Sequence, residues 1–543
     1  MPSAYSSKNR ASRGAGRWWR RGSDMSSSVH RHVGDAEPTG RVATVWRVGG
    51  VGPERPRGAG GTTGVRGFTW RTGAVVTAVA MVVLIGMIVL ADVSEREKPR
   101  VEHPPVVKRT DLEFGVWGNK AEIAAYQAVV DDYNASSKDT RVEVRSWPSA
   151  AAMLEAVRTG EDTPDLYLLP RNDLAEVMAE KRNRPLLDLV TEREIPIGDD
   201  FAREAVAAFS VENDLQCLPY TISPMVMYYN SDLVDFEAMA ADGLPTPKDD
   251  HSGWNFAQFR AAAEFASRPR RKTRGVYIDP SLRGLAPFVY SGGGKMYDDE
   301  TEPTSLALSD DSSTDALRQT LELLRDPRLT LSSRQLAQRT AVEWFKRGKL
   351  AMLPGFRSLT PELRATDGLN FDVMPMPSLG SNQTVGEING ICLAHGRPAR
   401  AEASANFMTY LVSDEAVARV SETGYLQPAK LTVALSSDFQ QPDQQPAHAA
   451  VFTNAVRAIM LPPLIENGSE LATLVAPDLE ALLFTTPDLQ DLQESLRAID
   501  EKSRILLDPD YSSEAPSDGT SPSGDPSSTG TPSGSASDDA ERD

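Results

Sequence analysis

The sequence predicts an α/β protein whose globular part consists of two lobes, each built on a doubly wound sheet. Three observations lead to this fold class. The chain has 543 residues, more than the roughly 250 to 300 at which a single core stops growing. Apolar strands alternate with amphipathic helices over residues 112–189, a pattern typical of right-handed βαβ units. Prolines interrupt a strand-like run at residues 215–230, which indicates that the chain leaves one sheet there and enters another.

A basic arm precedes an acidic body. Residues 1–73 are rich in Gly, Arg and Ser and are predicted to be disordered. The first 72 residues carry 13 Lys or Arg against 4 Asp or Glu, so the remainder carries a formal charge of −28 within a total of −19. Because binding to phosphates requires clustered Lys and Arg, so acidic a body argues against a nucleic-acid partner.

Residues 74–91 form an apolar segment without a charge. At about 1.5 Å per residue it is long enough to cross about 30 Å of hydrocarbon, which predicts a transmembrane helix. The arginines before it predict that the arm is cytoplasmic and that the rest is extracytoplasmic, giving a single-pass protein of the cell membrane. Two alternatives stay open: a signal peptide cleaved after Ala91, and a translation start later than Met1.

Two further segments are predicted to lie outside the folded core. Residues 92–110 are charged and contain prolines, and they are interpreted as a linker that holds the body away from the membrane. Residues 509–543 consist mainly of Ser, Gly, Pro, Thr and acidic residues, which predicts a disordered acidic tail.

The first lobe begins at residue 111 with three predicted strands separated by helices. The strands are LEFGVW, RVEVRSW and the wholly apolar TPDLYLLP. Ser149 is expected to cap the second helix and Gly160 to end it. In sheets of this kind, ligands bind beyond the carboxyl ends of the strands.

The sequence predicts neither an enzyme nor a cofactor or metal site. The six histidines are scattered, and none stands at the spacing of a metal-binding pair. The run of Gly292 to Lys295 lacks the first glycine of a phosphate-binding loop, and Met296 stands where Ser or Thr would contact magnesium. A hydrolase would require a catalytic constellation that these histidines and carboxylates do not form.

Several segments are similar to one known family. Four of them occur in the family's order within residues 112–505: TGEDTPDL, PYTISPMVMYYNSDL, EWFKRGKLAMLPGFRS and ANFMTYLVSDEAVARVSETGYLQPAK. They resemble bacterial extracellular solute-binding proteins, the substrate-capturing subunits of ABC importers of the maltose and multiple-sugar type.

The resemblance implies a two-lobed periplasmic-binding-protein-like fold of type II. It places residues 111–219 and 386–435 in lobe one, and residues 220–385 and 436–508 in lobe two. It also implies that a small solute, expected to be a carbohydrate, is held by hinge closure and delivered to an ABC permease.

The chain departs from the family pattern in one respect. Family members often carry a lipid-modified cysteine at the membrane, and this chain has none there, so the apolar helix would replace it. This departure leaves open a second function, a membrane-anchored envelope sensor or scaffold that keeps the fold without transport.

The expected ligand-binding residues lie at strand ends, in loops and on the two crossings between the lobes. Flat apolar faces and hydrogen-bonding groups are what a solute cleft requires. Some sugar binders of the family have an aromatic residue after the third strand, where this chain has Leu169-Pro170-Arg171, so stacking is expected to be reduced. The full set is Trp117, Asn119, Lys120, Arg171, Asn172, Tyr220, Ser223, Gly293, Phe356, Arg357, Glu387 and Asn389.

The two cysteines, Cys217 and Cys392, would be close together if the two crossings run antiparallel and side by side. Outside the cell a disulfide between them would persist. Two separate buried thiols are the alternative.

Overall fold

The computed structural model describes residues 81–84, 109–160 and 163–511. Residues 81–84 are helical with exposed side chains, and the rest of the predicted transmembrane segment lies outside the described residues. So do the predicted arm, most of the linker and most of the tail. Within the described ranges, no helix combines the length and the apolar character that crossing a membrane requires.

The strands are short and are distributed over two main sheets and one small hairpin. Their bounds are Thr110–Trp117 (β1), Thr140–Trp147 (β2), Leu166–Pro170 (β3), Asn183–Arg184 (β4), Ser210–Val211 (β5), Asp214–Leu215 (β6), Leu218–Pro224 (β7), Val226–Asn230 (β8), Arg274–Val276 (β9), Leu350–Gly355 (β10), Phe371–Pro375 (β11) and Gly386–Ala394 (β12).

The helices cover both sheets. Their bounds are Lys120–Ser136 (α1), Ala150–Thr159 (α2), Leu174–Ala179 (α3), Leu187–Glu192 (α4), Ile197–Asp200 (α5), Arg203–Ala208 (α6), Phe236–Ala241 (α7), Phe256–Ala266 (α8), Leu282–Ser291 (α9), Asp311–Leu324 (α10), Ser333–Leu336 (α11), Ala341–Lys346 (α12), Thr360–Arg364 (α13), Pro398–Leu411 (α14), Asp414–Ser421 (α15), Leu431–Ala434 (α16), Ser437–Gln440 (α17), Ala450–Ala455 (α18), Gly468–Phe484 (α19) and Leu492–Leu507 (α20). Short 3-10 helices cover Arg171–Asp173, Pro269–Arg271, Arg357–Leu359 and Val456–Ala458.

The first lobe is organised around a six-stranded sheet with the order β2-β1-β3-β12-β4, in which β7 also pairs with β12. Strand β1 runs parallel to both β2 and β3, as the predicted βαβ pattern requires. Strand β12, which is distant in sequence from the other strands of this sheet, runs antiparallel to β3 and β7. The carboxyl ends of β1 and β3 therefore meet at one edge of the sheet.

The second lobe is organised around a four-stranded sheet with the order β11-β8-β10-β9. Side chains of a strand alternate between the two faces of its sheet, and β8 follows this rule. Met227 and Tyr229 pack into one apolar cluster, whereas Val226 and Tyr228 pack into another. The sheet is thus buried on both faces.

Three chain segments connect the lobes, and backbone hydrogen bonds join them. Met225 separates β7 from β8, and its amide donates to the carbonyl oxygen of Val385 at 2.8 Å. The Thr384 amide donates to the Ala458 carbonyl at 2.8 Å, and the Met460 amide donates to the Thr384 carbonyl at 2.8 Å. These three adjacent segments therefore form a hinge region.

The lobe boundaries differ from the predicted ones at two places. Residues 220–224 belong to β7 and therefore to the first sheet, not to lobe two. Residues 436–508 do not stay in lobe two, because Val456 and Ile459 pack into the core of the first lobe. The sequence around residue 460 has no alternating pattern, so nothing in it marked this third crossing.

The structure joins Cys217 and Cys392 by a disulfide that closes a separation of 175 residues. Cys217 directly precedes β7, and Cys392 lies in β12, the antiparallel neighbour of β7. Both residues are fully buried in the core of the first lobe. The disulfide therefore lies within one lobe and leaves the hinge segments free of a covalent link.

Candidate ligand-binding cleft

A cavity of about 610 Å³ lies between the two lobes. This volume is within the range of roughly 300 to 1,000 Å³ that is usual for ligand sites. Trp117 and Arg171 line it from the first lobe, Arg283 and Tyr290 from the second, and Glu387 from β12 beside the hinge.

The first-lobe wall is formed by the ends of two parallel strands. Trp117 is the last residue of β1, and Arg171 to Asp173 form a 3-10 helix directly after β3. The Arg171 side chain is buried at 9% exposure, and its Nη2 donates to the carbonyl oxygen of Pro462 at 2.7 Å. Burial lowers the pKa of Arg171 to about 10. The arginine is thus held in place by a neutral acceptor.

Two nitrogen donors at this wall have no acceptor in the described part of the chain. They are Nε1 of Trp117 and Nε of Arg171, and both atoms are buried. A buried donor without an acceptor costs about 1 to 3 kcal/mol, so native proteins usually pair such groups with protein, water or ligand. Both atoms have almost no exposed surface, so a ligand in the cavity reaches them only if the side chains around them move.

The second-lobe wall is formed by α9 and the loop that follows it. Ser281 caps this helix, because its Oγ accepts a hydrogen bond from the Gly284 amide at 3.2 Å. The helix contributes Arg283 and Tyr290 to the cavity, and the loop contributes Tyr297. Burial raises the pKa of Tyr290 and raises that of Tyr297 to about 12, so both phenols keep their protons near neutral pH. Both can donate to and accept from a ligand hydroxyl.

Arg283 is fixed by stacking. Its guanidinium carbon lies 4.2 Å from the centre of the Phe356 ring, in the range of a cation–π contact. Burial lowers the pKa of Arg283, and the negative charge of Glu387 opposes that shift. Phe356 thus supports a cavity residue.

Carboxylates complete the polar lining. Burial raises the pKa of Asp173 to about 6, and the neighbouring charge of Glu176 adds to the shift. Glu387 accepts a hydrogen bond from the Ser358 hydroxyl at 3.2 Å. Because Glu387 lies on a first-lobe strand and Ser358 follows a second-lobe strand, this contact links the two lobes at the cavity.

Five of the residues expected from the sequence line the cavity together. They are Trp117, Arg171, Asn172, Glu387 and Asn389.

Two expected residues belong to the start of α1 instead. Asn119 is the capping residue, and its Oδ1 accepts from the Ala121 and Glu122 amides at 2.9 and 3.2 Å. Lys120 is the exposed first residue of the helix. A polar residue after a strand can cap a helix as readily as bind a ligand, so the sequence did not distinguish the two roles.

Tyr220, Ser223 and Arg357 are also structural in this fold. Tyr220 is buried at 1% exposure and packs at 6.2 Å from the Tyr126 ring. The Ser223 hydroxyl accepts from the Arg357 amide at 2.9 Å. Arg357 is fully buried, donating to the carbonyls of Gly424 and Phe439 at 3.1 and 3.0 Å. Residues distant in sequence bury all three side chains, so none of them lines the cleft.

The remaining two expected residues lie beside the cavity without lining it. Phe356 supports Arg283 as described above. Gly293 occupies the turn after α9 with φ of 81°, a left-handed conformation that glycine adopts without steric cost.

Sequence reasoning missed the second-lobe aromatic residues and the third crossing. Tyr290 and Tyr297 flank the predicted glycine-rich loop. The apolar segment of Met460 to Ile465 also lines the cavity. Tyr290 lies on an amphipathic helix, where an aromatic residue usually belongs to the core. No local pattern marked Tyr297, in the loop that follows, as a cavity residue.

Comparison with known families decides the class of protein. A family model for bacterial extracellular solute-binding proteins matches residues 128–449. The chain belongs to this family. The resemblance noted from the sequence is confirmed, and the globular part is an extracellular solute-binding domain.

Solved structures with the same fold cover nearly the whole of their own chains. An ABC substrate-binding protein from Listeria monocytogenes in complex with cycloalternan matches with a TM-score of 0.62 and 16% identity, over 73% of this chain and 98% of that one. The GacH receptor of Streptomyces glaucescens, solved unliganded and with acarbose, gives 0.59 and 20%, over 74% and 100%.

A third structure extends the comparison. The cyclic α-maltosyl-1,6-maltose binding protein from Arthrobacter globiformis gives a TM-score of 0.60 and 15% identity, over 74% of this chain and 99% of that one. At these identities the likeness establishes the two-lobed fold of the solute-binding family. A comparison with curated protein sequences finds no match.

Proposed function

We propose that this solute-binding protein captures a small oligosaccharide outside the cell and delivers it to an ABC permease. The observation that carries the proposal is the cavity between the lobes, which the Trp117 ring lines together with the polar side chains of Arg171, Arg283, Asp173 and Glu387. A sugar ring offers an apolar face for the indole and hydroxyls for the polar side chains. The oligosaccharides named with the similar structures are consistent with this ligand class.

The cavity also offers acceptors and neutral hydroxyls. Asp173 and Glu387 can accept from sugar hydroxyls, and the phenols of Tyr290 and Tyr297 can donate or accept. A flexible polyhydroxylated ligand could contact both walls at once. Such a ligand would favour the closed form, because its differential affinity shifts the population towards the state in which both lobes touch it. The ligand would be released unaltered, with no covalent step.

We further propose that residues 74–91 hold the domain at the outer face of the membrane. The length and charge-free composition of this segment support an anchor, which would replace the missing lipid-modified cysteine. Fractionation of cells producing the full chain is expected to recover it in the membrane fraction after an alkaline wash. Recovery of a shortened chain in the medium would support cleavage after Ala91 instead.

Binding is tested by thermal denaturation of the soluble domain against oligosaccharides, with amino acids and polyamines as controls. A matching oligosaccharide at about 100 times its dissociation constant is expected to raise the free energy of unfolding by about 2.7 kcal/mol. Trp117→Ala should abolish that gain. Trp117→Phe keeps an aromatic face but in a smaller ring, and should weaken binding about tenfold.

Trp344→Phe provides the control, because the Trp344 Nε1 already donates to the Gln335 carbonyl at 3.1 Å outside the cavity. It is expected to leave oligosaccharide binding unchanged. Stabilisation by an amino acid or a polyamine, but by no oligosaccharide, would reject the carbohydrate assignment.

A further inference from the structure

Two histidines and one aspartate, far apart in sequence, meet in the second lobe. His251 precedes α8, Asp372 lies on β11 and His448 precedes α18. The two imidazole rings stack with centroids 3.6 Å apart and planes 9° apart. One nitrogen or oxygen atom from each of the three residues lies within 4.8 Å of the other two. None of the three lines the cavity between the lobes, so the cluster is separate from the proposed sugar site.

His251 is oriented by its backbone and by its second ring nitrogen. Its φ of 52° is a conformation that residues with side chains rarely adopt. Its Nδ1 lies 3.0 Å from the carbonyl oxygen of Asp249, which can only accept, so Nδ1 carries the proton. Nε2 therefore presents a lone pair, which faces the Tyr229 hydroxyl at 2.9 Å. Metal-binding histidines are typically oriented in this way by a carbonyl.

Asp372 directs one oxygen towards backbone amides and the other towards the His448 ring. Its Oδ1 accepts from the Val373 and His448 amides at 2.9 and 3.1 Å. Its Oδ2 lies 2.6 Å from Nδ1 of His448. The residue is buried at 8% exposure, and both of its oxygens are hydrogen-bonded within the described chain. The carboxylate is thus fixed before any cation arrives.

We propose that His251, Asp372 and His448 form a binding site for a divalent transition-metal cation, with Zn²⁺ the best match. The ligand atoms are Nε2 of His251, Oδ2 of Asp372 and Nδ1 of His448, and water completes the coordination. Two imidazoles and one carboxylate suit Zn²⁺, whereas Ca²⁺ and Mg²⁺ prefer oxygen ligands. On binding, His448 Nδ1 releases its proton to solvent and Tyr229 gives up its hydrogen bond to His251.

Bonds of about 2.0 to 2.2 Å to zinc require the three ligand atoms to move closer together and one imidazole to turn out of the stack, because the ion must lie near the plane of each ring. The half-exposed side chain of His448, at 41% exposure, leaves room for that movement and for entry of the ion. The bound cation would fasten the loop before α8 to β11 and to the segment before α18. Its expected consequence is a more stable second lobe.

The test uses the full chain without a histidine tag, treated with EDTA and then titrated with Zn²⁺ and, separately, with Co²⁺. Wild-type protein is expected to bind Zn²⁺ with a rise in melting temperature and to give a visible Co²⁺ absorption band. His251→Gln and His448→Gln, each made singly, should weaken Zn²⁺ binding at least about tenfold and remove the Co²⁺ band. Asp372→Asn should have the same effect, since the site needs all three ligands.

His395→Gln is the matched control, because His395 is exposed and outside the cluster. It is expected to behave as wild type, and circular dichroism in EDTA checks that every variant folds. His30 and His32 of the arm can bind Zn²⁺ independently, so the comparison between variants decides. Unchanged Zn²⁺ affinity and Co²⁺ spectrum in both histidine variants would overturn the proposal, as would failure of wild-type protein to bind either metal. Neither outcome bears on sugar binding.

Discussion

At the scale of single residues, protonation of Asp173 in the cavity makes the free energy of unfolding depend on pH. Its folded-state pKa of about 6 exceeds the value of about 3.9 for an unfolded aspartate. Between these two pH values the folded chain holds a proton that the unfolded chain has lost. The contribution of Asp173 to stability is therefore present at low pH and disappears as the pH rises through about 6.

We expect Asp173→Asn to remove this fall in the free energy of unfolding between about pH 4 and pH 6. Chemical denaturation at several pH values measures it. Asp188→Asn, at an exposed aspartate outside the cavity, is expected to keep the wild-type profile. If Asp173→Asn also kept that profile, the environment assigned to Asp173 would be wrong.

Arg357 is predicted to act on stability and not on ligand binding. Arg357→Met leaves the carbonyls of Gly424 and Phe439 without this donor, at about 1 to 3 kcal/mol for each buried acceptor. Denaturant melts measure the loss, and the exposed Arg270 supplies the control substitution Arg270→Met. If Arg357→Met kept full stability but lost ligand binding, Arg357 would have to be assigned to the ligand site.

Individual site residues could be predicted only where a local pattern places them. Trp117 and Arg171 follow apolar strands, and parallel strand ends meet by topology, so the sequence was sufficient for both. Arg357 also follows a strand, but Phe439 and Phe452 cover it with ring centres 4.7 and 5.4 Å from its guanidinium carbon. Those contacts join residues more than 80 positions apart, which no local pattern reveals.

At the scale of elements, the disulfide joins β12 to the residue before β7. Closing a loop of 175 residues restricts the unfolded chain, and disulfides typically stabilise by about 2 to 4 kcal/mol. We expect the double variant Cys217→Ser with Cys392→Ser to lose about that amount in denaturant melts. Wild-type protein under reducing conditions should lose a similar amount, and the variant should not respond to reductant.

Because the disulfide lies within one lobe, ligand affinity of the folded double variant should match that of wild type. Equal stability of the variant and the oxidised wild-type protein would contradict the assigned role of the bond.

The sequence predicted the elements with strong periodicity, but it predicted only some of the crossings between the lobes. Ser149 caps α2 and Gly160 ends it in the left-handed conformation, as the sequence predicted. Pro224 ends β7 one residue before the chain enters the second lobe. The third crossing near Met460 has no comparable signal, because its hydrogen bonds are made to Thr384, which is distant in sequence.

At the scale of the whole molecule, the proposed mechanism requires two lobes that move about three joined segments. The cavity is lined by residues from both lobes, and the contact between Glu387 and Ser358 joins the lobes beside it. The two-lobed fold could be predicted from the family segments. The mixed aromatic and charged lining could not, because α9 and the last crossing reach the cavity only through tertiary packing.

The most direct test of closure is the distance between spin labels on the two lobes, measured by double electron–electron resonance. Lys120→Cys on the first lobe and Lys295→Cys on the second place labels at exposed positions outside the cavity lining, and both native cysteines are already in a disulfide. With a stabilising oligosaccharide at saturation, the distance distribution should shift to shorter values, and the same ligand should leave a Trp117→Ala version unchanged. An unchanged distribution in protein that has bound the ligand would contradict closure of the lobes as the mechanism.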